Sequence, residues 1–106
     1  MHLLRSQVIG KPRISLTQRP RIASSMVRDL FLAIDVGTGG IRSALVNHDG
    51  EILKICHKEH EQIVPRYGWS EQPPADWWAG TIETINQVLA EVDDAPARVA
   101  AICACG

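Results

Sequence analysis

The chain has 106 residues, enough for one domain at most, with a net charge of −1 and 45% hydrophobic residues. No apolar stretch approaches the roughly 20 residues of a membrane-spanning helix. The three cysteines, an odd number without framework spacing, exclude a disulfide-built secreted scaffold and point to a reducing compartment, the cytosol.

The near-neutral total conceals two unlike segments. Residues 1–28 carry Arg5, Lys11, Arg13, Arg19, Arg21 and Arg28 and no acid, whereas residues 29–106 carry all twelve acidic residues and a charge of −7. The leader is Arg-rich, Ser-containing and acid-poor, as an organelle transit peptide is, and it lacks the apolar centre of a secretory signal. Because Met26 stands four residues before the first apolar run, upstream sequence that is never translated, or a disordered tail, is the simpler reading. The leader has no aromatic residue for base stacking and no helical stripe, so a nucleic-acid partner is not expected.

The first element is a continuous apolar run over residues 30–36 that ends at Asp35, the pattern of a central strand covered on both faces. It leads into Gly37-Thr38-Gly39-Gly40 and then Arg42, the chemistry of a phosphate cradle. Three glycines in four positions are expected to turn through positive φ and to let amide N–H groups approach anionic oxygens. Thr38 adds a hydroxyl and Arg42 a permanent charge; Asp35, at the end of an apolar strand, suits a magnesium-bound water. Two other phosphate signatures fail. A P-loop needs Lys and Ser/Thr after its last glycine, but Gly40 is followed by Ile41 and Arg42. A dinucleotide fingerprint needs a helix opening at the glycines, but residues 41–47 read as a second strand, so the cradle is a β-hairpin turn.

Asn47-His48-Asp49-Gly50 supplies an Asp-Gly turn into a third strand over residues 51–59. Residues 61–74 are a proline-bearing loop, and Pro73-Pro74 can open a helix. Along that helix Trp78, Ile82, Ile85, Leu89 and Val92 form one apolar stripe, which makes Trp78 a core residue, and Asp93-Asp94-Ala95-Pro96 stops it. The run over 99–105 is apolar without alternation, a second doubly covered strand, parallel to the first. The order is β-β-β-α-β around a mixed sheet. Cys103 and Cys105 share one face as two buried thiols. Cys56 and His57 point to opposite faces, and with His60 they lack a fourth ligand, so a metal site there is set aside. Glu71 could contact substrate or order its loop, and loop ordering is the simpler role.

Two stretches carry a resemblance. Asp35-Val36-Gly37-Thr38-Gly39-Gly40-Ile41-Arg42 resembles the first phosphate motif of FGGY-family carbohydrate kinases, the group that includes xylulokinase and glycerol kinase; actin, heat-shock and hexokinase relatives share its general form. Gly68-Trp69-Ser70-Glu71-Gln72-Pro73-Pro74-Ala75-Asp76-Trp77-Trp78 resembles that family's Gly-Trp-x-Glu-Gln-Asp-Pro-x-x-Trp-Trp element and is the more specific. Pro73 departs from it, standing where an acid would favour the helix N-terminus. Gly39-Gly40 departs as well, standing where relatives often have hydroxyl residues, so backbone N–H groups must serve instead.

The resemblance implies an α/β fold, the opening part of an actin-like ATPase (ribonuclease H-like) domain over residues 29–106. It implies ATP and Mg2+, with phosphate bound by Gly37, Thr38, Gly39, Gly40 and Arg42 and magnesium water ordered by Asp35. The acceptor would be a sugar or polyol hydroxyl, with a xylulose-like sugar the favoured one within the family, in a cytoplasmic enzyme without membrane or nucleic-acid partners. A homodimer is one assembly open to the whole protein. The catalytic Asp and the adenine pocket would belong to sequence beyond Gly106, leaving this piece inactive alone. The rival readings are another actin-like ATPase, such as a chaperone, and a non-catalytic structural or interaction remnant.

Overall fold

The computed structural model describes residues 27–106, so all but the last two residues of the basic leader lie outside the described residues. Three strands come first: β1 (Leu30–Val36), β2 (Gly40–Asn47) and β3 (Ile52–Glu59). A long helix α1 (Pro74–Ala90), a single helical turn α2 (Ala95–Arg98) and strand β4 (Val99–Cys105) follow. The sheet order is β3-β2-β1-β4. β1 pairs antiparallel with β2 and parallel with β4, and β2 pairs antiparallel with β3.

The Asp-Gly turn forms as its sequence requires. Gly50 has φ +81°, its amide donates to the Asn47 carbonyl at 3.0 Å, and the Asn47 side chain accepts from the amides of Asp49 and Glu51. A one-residue irregularity then shifts the β2–β3 register between Leu45 and Val46. Beyond it Ala44 faces Ile55 and Arg42 faces His57.

α1 lies against one face of the sheet. Leu30, Leu32, Ile34, Ile41 and Leu45 are buried there with Val88. The helix is seated through small side chains: a Cβ at Gly80 would come within 2.9 Å of Ile41 Cγ1, and the Thr84 and Ser43 hydroxyls are hydrogen-bonded at 2.7 Å, both fully buried. The sheet-facing line is therefore Gly80, Thr84 and Val88. At about 100° per residue Trp78 stands some 120° round from Thr84, and it is 69% exposed, so the expected core position for Trp78 is corrected. Ile82 is exposed with it, while Ile85, Leu89 and Val92 are half-buried along the flank. Lys54 and Lys58 of β3 reach the opposite flank and pair with Glu91 at 2.7 Å and Glu83 at 3.2 Å.

β1 is an interior strand, as expected, but it is not covered on both sides. Among the described residues no element packs on the second face of the sheet, where Phe31 is 42% exposed. β4 is an edge strand with Ile102, Cys103 and Cys105 exposed, which corrects the expectation of a doubly covered strand with buried thiols. An unbroken apolar run states what a strand can tolerate on its faces, and one helix covers only one of them. α2, which the sequence reading runs together with the helix stop, begins after Asp94 at φ +53°. Its Arg98 grips Asp29, just before β1, through two bonds of 2.9 and 2.8 Å, and holds that carboxyl below the ordinary carboxylate range.

Candidate functional site

At the carboxyl end of β1, where open α/β sheets bind ligands, one row of side chains crosses the uncovered face. The register sets His57, Arg42, Asp35 and Cys105 side by side on β3, β2, β1 and β4. Arg42 and Asp35 are half-exposed and stand 3.7 Å apart. Beyond this row the glycine hairpin closes a cleft of about 390 Å3 lined by Asp35, Gly37, Thr38, Gly39, Gly40, Arg42, His57 and Glu59. Every residue expected in the phosphate cradle is thus brought to one cleft. Glu71 is not among them: its backbone exchanges two hydrogen bonds with Ile63, at 2.9 and 2.8 Å, and so orders the loop.

The glycines work by lacking a side chain. Positive φ among the described glycines belongs to Gly50 and Gly68, so the expected left-handed turn at Gly37, Gly39 and Gly40 is corrected. A Cβ on Gly40 would lie 2.5 Å from both the Lys58 carbonyl oxygen and His57 Nε2, so a bare backbone is what lets β2 start this close to β3. Around Gly39 a Cβ would meet nothing within 4 Å, which leaves open space at the tip. The Gly37 amide is taken up by the Gly40 carbonyl at 2.9 Å, and the Gly39 carbonyl accepts from the His60 amide at 3.2 Å. The amides of Thr38 and Gly39 have no backbone acceptor among the described residues.

A third contact ties the hairpin to the helix. Gln72 donates through Nε2 to the Thr38 carbonyl, and its Oε1 accepts from Trp77 Nε1 at 2.9 Å. Pro73, the residue before α1, contributes no side-chain cap, as its chemistry requires. His57, Glu59 and Gln72 are the site residues that sequence reasoning misses. A count back from the Asp-Gly turn would set Cys56 opposite Arg42, and only the register shift at Val46 replaces it with His57. Gln72 lies inside the quoted second motif, but nothing in its spacing shows that it reaches Thr38.

Two amides without an acceptor among the described residues, the Thr38 hydroxyl, Arg42 and the Asp35 carboxylate beside open space suit a chain of phosphates with a hard cation. The comparison with known proteins decides the family: the FGGY family of carbohydrate kinases, N-terminal domain, matches residues 30–106. The chain belongs to that family. Glycerol kinase of Shigella dysenteriae serotype 1 is 39% identical over 72 residues, 68% of this chain and 14% of that protein. Glycerol kinase of Salmonella arizonae is 38% identical over the same length. The chain therefore spans about one seventh of the length of these relatives. Among solved structures, a xylulose kinase from Brucella ovis superposes with a TM-score of 0.67 at 27% identity, covering 71% of this chain and 16% of that one. A gluconate kinase from Lactobacillus acidophilus gives 0.62 at 25% identity, covering 71% and 15%. An α/β mixed sheet of this FGGY kind is the architecture found. No helix of the described residues is long and apolar enough to cross a membrane, and no group of three or more metal-ligating side chains occurs among them.

Proposed function

We propose that the protein transfers the γ-phosphoryl group of ATP to a hydroxyl of a sugar or polyol, and that residues 35–42 hold the phosphates. The observation that carries this is the pair of amides, Thr38 and Gly39, that have no acceptor among the described residues, at a cleft shared with Asp35 and Arg42. Phosphoryl transfer is mostly positioning and charge stabilisation, so clamps of this kind supply a large part of the catalysis. Thr38 and Gly39 N–H groups and the Thr38 hydroxyl would bind oxygens of the terminal phosphates. Gly40 keeps the strands close, Gly37 closes the turn, and Arg42 adds positive charge. Magnesium, when bound, neutralises charge on the phosphate oxygens; Asp35 would orient a water of its shell. Asp35 and Glu59 are the carboxylates lining the cleft, and with no group of three or more metal-ligating side chains among the described residues an outer-sphere role for Asp35 fits better than a full ligand set.

The relatives divide among glycerol, xylulose and gluconate kinases, which supports a sugar or polyol hydroxyl as the acceptor class; a xylulose-like sugar is the acceptor we propose, on the likeness to the xylulose kinase structure. Free Cys56, Cys103 and Cys105 support a cytoplasmic setting. An ADP-release assay on the natural polypeptide carrying this chain, with glycerol, xylulose and gluconate in turn, tests the reading. We expect turnover with xylulose and a loss of about 100-fold in Asp35→Asn. Turnover undiminished in that variant would overturn the role of Asp35.

A further inference from the structure

The hairpin amides must be aimed as well as free, and the geometry points to Gln72 as the positioning residue that aims one of them, the Gly39 N–H. A peptide unit is planar and trans, so the Thr38 carbonyl and the Gly39 N–H belong to one rigid plane and point in opposite directions. Gln72, which precedes the N-cap residue of α1, holds that carbonyl. The Gly39 N–H thereby points away from Gln72, and Gly39 lines the cleft with Asp35 and Arg42. The next peptide plane is held in the same way, since the Gly39 carbonyl accepts from the His60 amide at 3.2 Å. Thr38 and Gly39 are exposed, with little packing of their own, so without these two grips the tip of the hairpin is free to rotate its peptide planes.

Gln72 is itself fixed at both ends. Its amide is oriented by the Trp77 indole N–H at 2.9 Å, and its backbone follows Glu71, which is pinned to Ile63. Trp77 stands about 20° from Thr84 around the helix, on the sheet-facing side that Trp78 does not share. A side chain with both a donor and an acceptor is required here; a carboxylate would lose the donor and an aliphatic chain would lose both. The element Gly68 to Trp78 thus acts on the first motif through Gln72 and carries the seating of α1 to the peptide that would face a phosphate. This assignment rests on the phosphate-binding reading for its consequence, but not for its geometry.

The test is 15N NMR of the full chain and its Gln72→Met variant, with backbone order parameters and a titration with inorganic tripolyphosphate. Gln72→Met should lower the order parameters of Thr38 and Gly39 toward those of a flexible loop. It should weaken tripolyphosphate about 10-fold, while hydrogen-exchange protection of the buried Val88 amide stays unchanged. A merely structural role would instead lower the protection at Val88. Trp77→Phe, which removes the indole N–H and keeps an aromatic six-membered ring, should shift Thr38 and Gly39 in the same direction by less, and it serves if Gln72→Met fails to fold. Order parameters at Thr38 and Gly39 equal to wild type in the folded variants would overturn the assignment. If they fall while the wild-type chain itself gives no saturable tripolyphosphate shifts, the phosphate reading fails and the positioning of the hairpin stands.

Discussion

Replacing Thr84 by Val isolates the contact that seats α1 on the sheet. The two side chains have the same shape, so no cavity forms; what is lost is the 2.7 Å hydroxyl bond to Ser43. Ser43 is fully buried and has no other side-chain partner, so its hydroxyl is left unsatisfied at a cost of about 1–3 kcal/mol. Thr84 also bonds back to the Gly80 carbonyl at 2.9 Å, a local interaction of the kind that slightly weakens helices, so its removal offsets little of that loss. For a domain of this size each kcal/mol moves the melting temperature by about 4–8 °C. The double variant Ser43→Ala with Thr84→Val removes both hydroxyls and should recover most of the loss, since replacing both partners is far cheaper than stranding one. Trp78→Ala, by contrast, should cost below about 1 kcal/mol, as a surface position does, against the roughly 3–5 kcal/mol of a buried Trp. Urea titration followed by circular dichroism measures all three. A neutral Thr84→Val together with a severely destabilised Trp78→Ala would mean that the helix presents its other stripe to the sheet.

Gly40→Ala should destabilise the chain by about 1–3 kcal/mol, because the added methyl meets the Lys58 carbonyl, a strand backbone atom, at 2.5 Å; chemical denaturation measures it. Arg98 depresses the Asp29 carboxyl below its ordinary value of 3.8, so the pair stabilises fully above that value and its contribution is lost as pH falls below it through the depressed one. Asp29→Asn should therefore be less stable than wild type near neutrality and converge with it in strong acid, as melting curves across pH will show. Thiol titration of the native chain should find Cys103 and Cys105 fast and the half-buried Cys56 slow.

Much of the fold is legible because its signals are local. Asp49-Gly50 demands a tight turn, the apolar run ending at Asp35 demands an interior strand, and Pro73-Pro74 opens a helix whatever surrounds it. The helix face is not legible in the same way. Ranking residues by hydrophobicity selects Trp78 and Ile82, whereas close approach to β2 is decided by the small Gly80 and the polar pair Thr84–Ser43, which a hydrophobic count passes over. The site divides similarly. Asp35 to Arg42 are contiguous and carry their chemistry in order. His57 reaches the cleft only through a register shift, and Gln72 only through a contact spanning 34 residues. Glycine at 37 and 40 signals a special backbone correctly, but the reason is steric room and not positive φ, and at Gly39 neither requires it.

The central claim is that the hairpin after β1 binds the phosphates of a nucleotide. A 15N NMR titration of the chain with ATP, with and without Mg2+, tests it residue by residue. The account predicts saturable shifts centred on Thr38, Gly39 and Gly40, strengthened by Mg2+ in wild type but not in Asp35→Ala. Shifts centred instead on the cleft between β3 and α1, around Lys58, Asp76 and Glu83, would contradict it.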